Sequence, residues 1–169
     1  MAALRARFRI GSIIFAAADV EVDLFLTRLE DIAQLADQTV ITVSDADNVL
    51  ENARKLMRGQ ARVGSAPAES LEMAFIEKHH LLNVHIVDVS QHKELRGFDI
   101  EGHHYWYRHP WMSSDIIFLL EHGVPPHERA LSRGEENGIW YFGPDYPDAV
   151  KAAARLKTAS PDKQSGKDL

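Results

Sequence analysis

Residues 100–110 read IEGHHYWYRHP and place three histidines and three aromatic residues in eleven positions. Imidazoles at that density suit metal ligation, proton transfer in an enzyme, or plain packing inside an aromatic cluster. The nine histidines are His79, His80, His85, His92, His103, His104, His109, His122 and His127. None falls in an H-E-x-x-H pattern, and the adjacent pairs send their rings in divergent directions, so no metal site is expected. No cofactor is expected either. His85 sits inside an apolar run and reads as a packed residue. His103 differs, because Gly102 before it lets the backbone turn sharply and Tyr105 and Trp106 after it suit the wall of a pocket. The spacing casts Tyr105, Trp106, Tyr107 and Trp111 as packing for this loop on the helix that follows. The acids that count are those directly after predicted strands, namely Asp19, Asp45 and Asp47.

Alternating strands and helices must position these groups. MAALRARF reads as the end of a helix and IGSIIFAA as a buried strand, although three arginines before an apolar stretch also sketch a short secretory signal. In DVEVDLFLTRLEDIAQLAD the residues Val22, Phe25, Leu26, Leu29, Ile32, Ala33 and Leu35 recur at helical spacing. TVITVS (39–44) is a β-branched strand, and DADNVLENARKLMRG a helix with acidic caps and a terminal glycine. ESLEMAFIEKHH reads as a short helix, NVHIVDVS (83–90) as the third strand, and WMSSDIIFLLEHG as a helix stopped by Gly123. From Thr158 the chain turns polar, which divides it into a folded unit of residues 1–157 and a tail of residues 158–169.

That order describes an α/β unit with a parallel sheet of about three strands and flanking helices. In such sheets functional groups collect at the carboxyl ends of the strands. An acid after one strand and a histidine after the next is the order in which an α/β-hydrolase fold supplies its orienting acid and its base. Between the two acids after strand two, Asp45 and Asp47, register alone decides.

The segments IIFAAADVEVDLF, VITVSDADNVLENARKLMRG, VHIVDVS and GHHYW together resemble the carboxyl-terminal half of an α/β-hydrolase group. The group is bacterial, esterase- or lipase-like and poorly characterised. Its members typically read AAPDVD-x-D-x-F, S-x-x-D-x-A-L, I-D-V-S and G-H-S-Y. The resemblance runs from about Met1 to Leu131 and covers about half of a complete hydrolase domain. It implies a partial α/β-hydrolase fold without its amino-terminal half, with Asp47 as the acid and His103 as the base. Two positions depart from the pattern: Ala18 stands in place of proline, and His104 in place of serine beside the base.

A serine hydrolase of this fold carries its nucleophile on a strand-to-helix elbow, G-x-S-x-G, ahead of acid and base. No such motif occurs in the sequence. Ser12 precedes the apolar stretch of strand one, Ser44 ends the acid's own strand, and Ser65 follows the acid. Two readings follow. The first is the carboxyl-terminal portion of a serine hydrolase, acting on a small ester-like substrate once completed and inactive alone. The second is a stand-alone α/β module that binds a ligand or a protein without catalysis.

The net charge of −6 gives nucleic acid or an anionic membrane no electrostatic hold, and no run of residues is long enough to span a bilayer. The absence of cysteine suits a reducing compartment, so a cytoplasmic location is expected. With 169 residues, 45% of them hydrophobic, the chain can bury a substantial core. Strand one carries no charge. As an exposed edge it would pair with a second copy or with a partner chain.

Overall fold

The computed structural model describes residues 2–44, 62–65, 80–90, 105–135 and 138–159. Helix α1 (Ala2–Phe8) leads through Arg9, held at φ 47°, into strand β1 (Ile10–Phe15). Helix α2 (Val22–Ala33) and strand β2 (Ala36–Val43) follow, then strand β3 (Val84–Asp88). The chain continues through a single helical turn, α3 (Tyr105–Arg108), into the longer α4 (Pro110–His122). A 3-10 turn (Pro126–Arg129), a hairpin of β4 (Ser132–Arg133) and β5 (Trp140–Tyr141), and helix α5 (Tyr146–Ala159) complete it.

The sheet order is β1-β2-β3-β5-β4, with β1, β2, β3 and β5 parallel and β4 antiparallel at one edge. The three long strands are those read from the sequence. The last two are additions from SRGEENGIWYF, each too short to show an alternating pattern. The register joins Ile14 to Val40 and Val40 to His85, which sets these three side chains on one face. Period-two alternation then divides the sheet. Ile41, Val43, Val84 and Ile86 pack against Val22, Phe25, Leu29 and Ala33 of α2. Val40, Val87 and Val89 pack against Met112 and Leu119 of α4 and Tyr146 of α5.

β2 starts three residues before its β-branched run. Ala36, Asp37 and Gln38 have no strand propensity of their own, but the ladder to Ile10 and Ser12 draws them into the sheet. Asn83 closes the tight link from α2, its Nδ2 donating to the carbonyls of Ala33 (2.8 Å) and Ala36 (3.0 Å). The helix assigned to DADNVLENARKLMRG lies outside the described residues, as does the one assigned to ESLEMAFIEKHH except for its last residue, His80, which stands in a turn at φ 51°. α5 had no forecast, and it carries Thr158 and Ala159, which composition alone assigned to the polar tail. Gly143 allows its start: a β carbon there would sit 2.8 Å from Asp145 Oδ1 and 2.9 Å from Ser132 Oγ.

Candidate functional site

The carboxyl ends of β1, β2, β3 and β5 share one edge of the sheet, and backbone hydrogen bonds bind the loops leaving it. Gly64 N–H donates to the Ala18 carbonyl at 3.0 Å and Val63 N–H to that of Val20 at 2.9 Å, while Ser44 N–H donates to Gly64. Val89 N–H donates to the Val43 carbonyl, continuing the β2–β3 pairing one residue past β3. The Asp88 carboxylate accepts from Ser90 N–H at 2.7 Å, and Thr42 Oγ1 donates to the Phe15 carbonyl. The segments containing Asp45 and Asp47, and the one ending at His103, therefore depart from neighbouring strands at a stitched rim.

Asp45, Asp47, His103 and His104 themselves lie outside the described residues. Asp19 is exposed and stands 3.4 Å from Arg62 Nε, an ion pair across two loops of the rim. Ser12 lies within β1, away from the carboxyl edge, and Ser113 Oγ donates to the Tyr107 carbonyl at 3.1 Å. Both placements are structural.

The described part of the stretch from 100 to 110 divides its labour. His109 is buried and caps α4, its Nδ1 accepting from Trp111 N–H at 3.2 Å, and Pro110 opens the helix. Gly123 ends it at φ 62°. Trp111 packs on Phe142 and Tyr146, with ring centroids at 6.3 and 5.8 Å. Trp106 and Tyr107 do not follow the expectation of loop packing. They lie edge to face at 4.7 Å and remain 41% and 46% exposed, because a single helical turn has too little surface to bury both.

Sequence reasoning missed a second polar centre. Asp115 of α4, Arg129 of the 3-10 turn and Tyr146 of α5 are all buried on the face opposite α2. Asp115 Oδ1 lies 3.2 Å from Arg129 Nε, yet neither atom has a directed hydrogen bond, and neither do Nη1, Nη2 or the Tyr146 hydroxyl. Burial pushes the Asp115 carboxyl up to about 6, against the pull of Arg129. Burial also lowers Arg129 and raises Tyr146. His85, on the same sheet face, contacts Gln38 Oε1 through Nε2 at 2.8 Å. Burial, followed by Arg129, His127 and Arg133, lowers it to about 4, so it is neutral at pH 7. The available signal was helical spacing, since Asp115 falls between Met112 and Phe118 on the buried stripe of α4.

Residues 2–118 match the family model described as alpha/beta hydrolase of unknown function (DUF900). That is well over half of the 169 residues. The chain belongs to this family. The mostly parallel sheet with helices on both faces is a partial α/β-hydrolase fold, as the strand–helix alternation and the resemblance implied. The match covers α1 to most of α4; the β4–β5 hairpin and α5 lie beyond it. Neither the curated proteins nor the solved structures include a match to the chain. Among the described residues no group of three or more His, Asp or Glu side chains is placed to hold a metal ion. Among them, too, no helix is long and apolar enough to cross a membrane.

Proposed function

We propose that the chain is the carboxyl-terminal portion of an esterase- or lipase-like serine hydrolase, contributing Asp47 as orienting acid and His103 as base. The observation that carries this reading is the parallel pairing of β2 and β3 in register up to Val43 and Asp88. Asp47 follows β2 by four residues, and His103 comes two residues before α3, which leads directly into α4 with its His109 cap and packed Trp111. In this arrangement the Asp47 carboxylate accepts the Nδ1–H of His103, holds one tautomer and stabilises the imidazolium. His103 Nε2 takes the proton of an attacking hydroxyl and returns it to the leaving group. That hydroxyl belongs to an elbow that the 169 residues do not contain, so these residues alone hydrolyse no ester and the substrate is a small ester once the elbow is supplied.

NMR titration of His103 in the parent chain and in Asp47→Asn tests the pair. A nearby carboxylate favours the imidazolium, so the parent His103 is expected to titrate at the higher pH. Equal titrations would remove the acid–base assignment and favour a non-catalytic binding module. Fluorophosphonate treatment of the isolated chain is expected to label no serine; stoichiometric labelling of Ser12, Ser65 or Ser113 would expose a nucleophile within it.

A further inference from the structure

His85 stands near the amino end of β3, at the opposite end of the strand from the stitched rim. The register sets Val87 beside Trp140 and Trp140 beside Arg133, so one row of side chains crosses β3, β5 and β4 on the face covered by α4. His85 precedes Val87 by two residues and shares that face. The Trp140 ring gathers two cationic side chains: the His127 ring lies 6.3 Å away, centroid to centroid, and the Arg133 guanidinium 5.5 Å from its centre. Arg133 is fixed further, its Nε donating to the Gly138 carbonyl at 3.2 Å. Arg129 follows His127 by two residues in the same 3-10 turn. Its Nη1 and Nη2 are buried and donate to no acceptor, while Nε is turned to Asp115.

The charge around His85 is one-sided. Across the chain the net charge is −6, yet the groups that act on this ring after burial itself are Arg129, His127 and Arg133, and no carboxylate offsets them. Of the acids on neighbouring elements, Asp37 is held by Arg5, Asp115 by Arg129 and Glu128 by Lys157. Glu121 lies beside His122, and Glu135 is exposed in the turn of the hairpin. Arg133 and His127 are exposed, and neither forms an ion pair among the described residues. The amide oxygen of Gln38 accepts from His85 Nε2–H, which leaves Nδ1 as the unprotonated nitrogen, with no partner among the described residues.

We propose that His85, His127 and Arg133, backed by the buried charge of Arg129, form a binding site for a phosphoryl group, carried as the free ion or as a phosphate monoester. Guanidinium groups present planar sets of N–H donors that match phosphate oxygens, and two of them with two imidazoles suit a dianion better than a single carboxylate. A phosphate oxygen at His85 Nδ1 draws a proton onto that nitrogen while Nε2–H stays on Gln38. Three of the four residues lie beyond the segment matched by the family model, so the site belongs to the hairpin side of this chain.

NMR titration of the full chain with inorganic phosphate, glycerol 3-phosphate and acetate, at constant ionic strength in chloride, tests this. Both phosphates are expected to shift the His85 and Trp140 ring signals saturably. The titration midpoint of His85 should rise from about 4 with phosphate bound, because a neighbouring anion favours the imidazolium. Arg133→Gln and His127→Gln alter exposed side chains, with circular dichroism verifying the fold, and each is expected to weaken phosphate binding by about fivefold. Tighter binding of the ester would identify the phosphate group of a larger ligand and equal binding the free ion; either supports the site. No saturable shift, a His85 midpoint that is the same in phosphate and chloride, or unchanged affinity in both variants would overturn the proposal. Acetate binding as tightly as phosphate would overturn the phosphoryl assignment.

Discussion

His109 shows how one histidine of a suggestive cluster is consumed by local geometry. A helix opening with proline still leaves backbone N–H groups unpaired, and Nδ1 of the preceding residue accepts one of them. Only an unprotonated Nδ1 can do so. His109→Ala is therefore expected to cost about 1 kcal/mol of stability by urea denaturation, and His109→Asn much less, because asparagine also caps. His85 and Asp115 titrate in opposite senses. Burial raises Asp115 from 3.8 to about 6, so its contribution to stability is full below about pH 4 and lost as pH rises towards 6. The lowering of His85 from 6.5 to about 4 makes its contribution full above about pH 6.5 and lost as pH falls through 4. The two slopes oppose each other in the parent. Melting temperatures between pH 4 and 7 should then rise with pH in Asp115→Asn and fall with pH in His85→Gln. Parallel profiles in the two variants would refute the assignment.

At the scale of elements, Asp115 and Arg129 tie α4 to the turn ahead of the hairpin, and Tyr146 brings the start of α5 to the same point. An ion pair with no exposed surface and no directed hydrogen bonds is a weak source of stability, since desolvating both charges offsets their attraction. Removing one partner is worse than removing both. Arg129→Met leaves a buried carboxylate and is expected to cost about 3 kcal/mol or more, whereas Asp115→Leu with Arg129→Met should recover most of that loss. Equal losses in the single and double variants would show that Arg129 acts through packing alone. The sequence announced α4 by its terminal glycine and its apolar stripe. It concealed the pair, because Arg129 lies fourteen residues beyond Asp115, in a turn whose placement depends on the finished fold.

Among the described residues, two apolar clusters lie on opposite faces of the sheet. Leu29 of α2 and Leu119 of α4 are each 1% exposed, on opposite faces. Leu29→Val and Leu119→Val each remove one methylene and are expected to cost about 1 kcal/mol. With a sheet between them and no shared neighbour, the double variant should lose the sum to within about 0.5 kcal/mol. A larger discrepancy in denaturation experiments would mean that the sheet transmits strain between its faces.

The sequence by itself determined the alternation of elements, the three long strands and the family, because hydrophobic periodicity and short motifs are local properties. Strand order alone left Asp45 and Asp47 open, and the family resemblance nominated Asp47 and His103. The sequence could not reveal that β2 begins at Ala36, that His85 pairs with Gln38, or that the hairpin of β4 and β5 extends the sheet beyond β3. Nor could it separate His109, a cap, from its neighbours in the same eleven residues. Each of these depends on which distant backbone lies alongside. A ladder partner supplies hydrogen bonds that outweigh weak strand propensity, and burial sets the charge state of a side chain only once the layers have closed over it.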